Sequence, residues 1–212
     1  MARETLKHIK NGVKRASDVG GAREAQAEAT RRALIGAARE LFTERGYHDV
    51  GIREVAEKAG VTRGAFYHHF GDKESLFLAV FDDVEREMMA RDPKRARAGA
   101  DAWEQFRQGI QSYLDAAMRP DVQRITLIDA PAVFGWARWR KLEEGYGLGS
   151  MMQALDAAMK AKLIRRQPVE PLAHLLLGSV MEAAMLIAHS EKPKQRRAEV
   201  GKALDSLLRG LE

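Results

Sequence analysis

The stretch from Gly51 to Lys73 constrains the fold of this chain more than any other. Ile52, Val55 and Ala56 recur at helical spacing, and Ala56 is small enough to let a second helix cross closely. Gly60 stands where a helix stop needs positive φ, Val61 plugs the turn, and the Thr62 hydroxyl can cap the next helix. In that helix Ala65, Phe66 and Phe70 can face inward. Arg63, Gly64, Tyr67 and His68 then stay outside, with Lys73 just past the Asp72 cap. Donors, a phenol and a small residue at the start of an exposed helix are what insertion into a DNA major groove requires.

The rest of the chain reads as helix too, so the expected class is all-α. Leu34, Ala37, Ala38, Leu41 and Phe42 form a stripe along Thr30 to Glu44, which closes at Gly46. Asp72 opens a helix carrying Leu76, Phe77, Val80, Phe81, Val84 and Met88 on one side. It runs to Asp92-Pro93, the expected end of a first domain over residues 30–92. In a second domain, 93–212, helices are expected from about Asp101 to Met118 and from Asp121 to Asp129. Another starts near Pro131, with a break or kink at Gly145-Tyr-Gly-Leu-Gly149. Pro168 and Pro171 open a long helix to about His189, and a last one follows Pro193.

From Thr30 to about Val84 the chain resembles the DNA-binding domain of the tetracycline-repressor (TetR) family of bacterial transcriptional regulators. The landmarks are Ala38, Leu41, Phe42, Gly46, Tyr47, Ile52, Val55, Ala56, Ala59, Gly60 and Val61. They continue with Gly64, Tyr67, His69, Phe70, Lys73, Leu76 and Phe77. Gly51 departs from the Ser or Thr usual in the family, which retains a cap but removes a hydroxyl that reaches phosphate. The resemblance implies a homodimer on a palindromic operator in double-stranded DNA, a small-molecule effector held by the second domain, and repression as the default output. Phosphate contacts are expected from Arg53, Thr62, Tyr67, His68 and Lys73, and base-edge contacts from Arg63, Gly64 and Ala65.

The second domain is rich in soft side chains. Trp103, Phe106, Tyr113, Phe134, Trp136, Trp139, Met152 and Met181 either pack a plain core or line an apolar effector cavity. Asp129, just before Pro131, reads as a helix cap rather than a pocket carboxylate. Arg140 and Lys141 read as a solvated face. Leu172, Leu175, Leu176, Leu186 and Ile187, with small Gly178 and Ala184, give a broad apolar face, and Val200, Leu204, Leu207, Leu208 and Leu211 give another. These two helices, about 168–212, are expected to form the dimer seam, with Leu176 and Leu207 inside it.

Competing classes are weaker. No nucleophile–base constellation, Glu-x-x-His pair or phosphate-cradling glycine loop marks an enzyme. His68 and His69 point about 100° apart on a helix and are poorly placed to share a metal, so neither metal nor cofactor is expected. A constitutive DNA-organising dimer without an effector stays open. The chain of 212 residues has no cysteine and a net charge of +5, which suits an anionic partner without identifying one. The apolar run from Leu172 to Ala188 is broken by His174 and Glu182, so no membrane span and a cytoplasmic location are expected. Residues 1–29 form a basic extension with Arg3, Lys7, Lys10, Lys14 and Arg15 and a hinge at Gly20-Gly21. It reads either as a solvated tail or as an arm that follows DNA phosphates.

Overall fold

Among the described residues, the computed structural model of this chain has nine α-helices, one π-helical segment and no strand. It describes the backbone of residues 2–90 and 100–212, and the side chains of these from position 21 onward except at 22 and 90. The expected boundary at Asp92-Pro93 lies outside the described residues. So do the side chains of Arg3, Lys7, Lys10, Lys14 and Arg15 in the N-terminal extension.

The N-terminal unit is α1 (Ala2–Arg45), α2 (Ile52–Lys58), α3 (Arg63–His69) and α4 (Lys73–Ala90). Leu34, Ala38, Leu41 and Phe42 of α1 are buried against α2 and α4, and Phe42 meets Phe77 edge-on at 5.4 Å. Each helix start has a local cause. Gly51 is extended (φ −93°, ψ 151°) and caps α2 without a side chain. Thr62 Oγ1 accepts from Ala65 N at 3.1 Å to start α3, and Asp72 Oδ1 accepts from Ser75 N at 2.7 Å to start α4. Positive φ at Gly46 (+83°) and Gly60 (+69°) ends α1 and α2, a conformation that costs a side-chain-bearing residue about 1–2 kcal/mol.

The C-terminal unit comprises α5 (Ala102–Ala116), a π-helical segment (Val122–Asp129), α6 (Ala130–Phe134), α7 (Trp136–Lys160), α8 (Val169–Ala188) and α9 (Pro193–Arg209). Leu114, Trp139, Leu155, Ile187, Leu204 and Leu208 form the middle of its core. Helix α8 is long and apolar enough to cross a membrane by composition, but much of it is buried between α7 and α9, which accounts for its apolarity.

Three expectations about helix continuity and winding need correction. Helix α1 runs unbroken through Gly20 and Gly21, so no hinge forms there. The break near Gly145–Gly149 falls instead at Gly135, where φ is +78°, while α7 passes through the glycines. At Gly147 an added Cβ would meet Leu177 Cδ1 at 3.3 Å, so the missing side chain serves the approach of α8 rather than a break. Finally, residues 122–129 wind as a π-helix. The Thr126 hydroxyl bonds Val122 O at 2.8 Å, supplying a donor where the wider turn has displaced the usual i+4 amide.

The π segment and α6 seat the two units on each other. Arg39 of α1 donates to Asp83 (2.9 Å) and Glu87 (2.5 Å) on α4 and to Asp121 (2.5 Å) at the start of the π segment. Arg119 closes the group on Asp121 at 2.6 Å. Burial alone would raise the Asp121 pKa, but the bonds from Arg119 and Arg39 outweigh it and hold the group ionised below its usual range. Asp129 is neither a side-chain cap for α6 nor a pocket group, contrary to its sequence context. Its carboxylate accepts from the backbone N–H of Tyr47 at 2.6 Å and from Arg124 at 3.3 Å, tying the turn after α1 to the second unit.

Candidate nucleic-acid interface

Helix α3 buries Phe66, its C-cap Phe70 is buried too, and Arg63, Gly64, Tyr67 and His68 are left exposed. Arg63 Nη2 donates to Tyr67 Oη at 3.2 Å, and its guanidinium lies 5.5 Å from the centre of that ring. This contact orders the arginine along the outer face while most of its five donors stay free. A Cβ at Gly64 would meet only Thr62 Oγ1, at an ordinary 3.7 Å. Nothing in the protein itself demands glycine there. Ala65 is half-buried, with its N–H already engaged by the cap, and offers less to a base edge than its neighbours. The Thr62 hydroxyl accepts that N–H, which leaves its own proton available to another acceptor.

Other expected contacts are preoccupied. Arg53 pairs with Glu57 at 2.7 Å on α2, both well exposed, and so weak a surface pair is readily exchanged for a phosphate. Lys73 folds back until its Nζ sits 4.2 Å from the centre of the Tyr47 ring. Burial there lowers its pKa, opposed by Asp49 and Asp129. His69 is half-buried, edge-on to His68 at 5.3 Å, and among the described residues no group of three or more His, Asp or Glu side chains is placed to hold a metal ion. Arg31, which sequence spacing does not single out, lies over Phe70 at 5.4 Å and adds a cation beside the end of α3.

The expected pocket residues do not all converge on one place; only Tyr113 and Trp139 come together, beside a pair of buried acids. Trp103 stacks on Phe106 at 5.3 Å and donates to Glu212 at 3.1 Å, binding α5 to the chain end. Phe134 packs on Phe77 (5.5 Å) and Phe81 (6.0 Å) of α4. Trp136 is 56% exposed and leans on Trp139, which is fully buried. Tyr113 lies ten residues beyond Trp103 on α5, about 15 Å along its axis. Met152 is half-buried on α7 and Met181 buried on α8. Open grooves occur elsewhere, at the α8–α9 corner beside Met185, His189 and Arg196.

Beside Tyr113 and Trp139 the structure buries two carboxylates. Glu85 of α4 is 0% exposed and Glu143 of α7 is 4% exposed. Neither oxygen of Glu85 has a hydrogen-bond partner, nor does Glu143 Oε1. Burial pushes the pKa of Glu85 well up, reinforced by Glu143 and Asp82. Burial likewise pushes Glu143 up to about 8, although the Trp139 indole nearby offsets part of this without closing a hydrogen bond. The phenol of Tyr113 is raised by the same burial and by both carboxylates.

Comparison with known proteins follows the division of the fold. Residues 34–80 match the family described as bacterial regulatory proteins, tetR family, and residues 103–211 match the tetracyclin repressor-like C-terminal domain. A TetR-family transcriptional regulator from Pectobacterium atrosepticum superposes with a TM-score of 0.78 at 39% identity, covering 88% of this chain and 96% of that one. The Tn10 TetC protein of Escherichia coli is 27% identical over 158 residues, 74% of this chain and 80% of its own. FadR of Bacillus subtilis, solved in complex with stearoyl-CoA, shares the fold at a TM-score of 0.69 and 20% identity, covering 85% of this chain and 99% of its own.

Proposed function

The chain belongs to the TetR family of DNA-binding transcriptional regulators, and on that premise we propose that it is a homodimeric repressor that a small molecule releases from a palindromic operator. The observation carrying this reading is the outer face of α3, where Arg63, Gly64, Tyr67 and His68 stand exposed on a helix held by capped turns. The dimer would form through α8 and α9 and present two such faces to successive major grooves. Such a protein acts where the chromosome is, in the cytoplasm. Effector binding in the second unit would move α4, and with it α3, so that the spacing of the paired recognition helices no longer fits the operator.

Arg63 is assigned to a base edge, with guanine as its natural partner. Arg63→Ala is expected to lose roughly 1–3 kcal/mol of operator binding and to relax preference at one position. Lys73→Ala should weaken all sequences alike. Fluorescence anisotropy on operator variants separates the two effects, and unchanged binding in both variants would overturn the assignment.

The N-terminal extension is assigned to the phosphate backbone. Deleting residues 1–20 should lower affinity for every DNA sequence and flatten the dependence of log K on log salt. An unchanged slope would leave these residues without a part in DNA binding.

A further inference from the structure

We propose that the region between α4, α5 and α7 binds a hydrophobic organic cation, with Glu85 and Glu143 as its charge partners and Tyr113 and Trp139 as its aromatic walls. This deepens the effector reading above and rests on it. Buried carboxylates are normally paired with a cation or hydrogen-bonded on every oxygen, because stripping water from an unpaired charge costs several kcal/mol. Here two such groups from different helices influence one another, and three of their four oxygens have no partner. The groups facing them are acids and aromatics: Asp82 on α4, Tyr113 on α5, and Trp139 and Tyr146 on α7, with the Tyr146 hydroxyl donating to Asp82. Arg86 of α4 is exposed, and on α8 His174 lies against Glu144 at 3.8 Å rather than against the pair.

The occupant that would satisfy these oxygens carries a positive charge on an apolar body. Aromatic faces next to carboxylates suit an amine or amidinium, and repel an acyl carboxylate. In the closed form protons held by the pair keep it near neutral, which agrees with the raised pKa of Glu143. A cation entering at pH 7 would discharge about one proton, since its charge favours the ionised form. Because Glu85 and Glu143 are sealed from solvent, entry requires α4 and α7 to part, with adaptable Met152 and Met181 on the neighbouring helices. Helix α4 follows directly after α3, so a ligand that draws on Glu85 acts on the element that positions the recognition helix.

The test uses the full-length protein and three probes with one shared body: 4-phenylbutylamine, 4-phenylbutanol and 4-phenylbutanoate. Calorimetry at pH 7, in buffers of differing ionisation enthalpy, gives both affinity and proton release. The amine should bind about tenfold or more tightly than the alcohol, release about one proton, and outcompete the butanoate further. In the Glu85→Gln, Glu143→Gln double variant the amine should fall to the level of the alcohol. Equal binding of amine and alcohol, binding without proton release, an advantage that survives in the double variant, or no binding by any probe would each overturn the proposal. Operator release keeps the two readings apart. If the alcohol or butanoate releases DNA and the amine does not, the effector reading stands and the cation assignment falls. Amine binding with proton release but unaltered operator affinity supports the site and rejects its regulatory role.

Discussion

Replacing Leu175 and Leu207 by glutamate is expected to turn the protein into a monomer and to reduce operator affinity by about 10²–10⁴-fold. Leu175 is 70% exposed on α8 and Leu207 is 61% exposed on α9, with Leu186 nearby in character at 44%. Large aliphatic side chains so open to water on adjacent helices are the natural material of a two-fold seam, where each residue is used twice. A glutamate there would lose its water on dimer formation without gaining a cation, and the seam would carry that cost on both sides. The monomer keeps one recognition helix, so half-sites are bound independently and the gain from linkage disappears. Leu176, one position away, is the wrong probe. It is buried inside its own protomer at 7% exposure, so a charge there would damage the fold before it tested the interface. Sedimentation of the Leu175→Glu, Leu207→Glu variant decides the matter, and an intact dimer would move the interface to another face.

The second large effect is on stability at alkaline pH. In the unfolded chain Glu143 titrates near its ordinary value of 4.5, whereas in the folded protein burial raises it to about 8. Between these values the folded state holds more protons than the unfolded state, so stability falls as pH rises through the window. Stability should therefore decline across this window, and further as the coupled Glu85 gives up its own proton. Glu143→Gln removes the titration, so the variant should gain on the parent progressively from acid to alkaline conditions. Urea midpoints of both proteins at pH 5.5 and 8.5 measure this. A difference that does not change with pH would show that the folded protein does not hold the proton.

Where the chain's own neighbours decide the conformation, the sequence could be read. Gly60, the Thr62 and Asp72 caps, and the inward Phe66 and Phe70 all lie where their spacing implies, because each depends on contacts within a turn or two. The Gly145–Gly149 run misled because glycine costs a helix only about 1 kcal/mol relative to alanine, and burial of α7 against α5 and α8 outweighs that. The choice between Leu175 and Leu176 needs the phase of a helix whose apolar residues nearly encircle it. The π segment has no periodic signature at all. Asp129 could not be placed because its partner, Tyr47 N, is 82 residues away. Glu85 and Glu143 are a different case. Glu85 sits four residues after Phe81 and three before Met88, on the stripe itself, and Glu143 stands four after Trp139. Each is a polar residue on an otherwise apolar stripe, and spacing alone does not distinguish such a residue from one at the water's edge.

The bond from the Tyr47 amide to Asp129 has a consequence for observation. An amide hydrogen held by a carboxylate across the seam between units exchanges with solvent only when that seam opens. Its deuterium uptake is therefore a clock for separation of the DNA-binding unit from the rest, readable at one backbone position without any label on DNA or ligand. A compound that works by parting α4 from its neighbours would make this clock run faster, and one that merely blocks the recognition helix would leave its rate unchanged.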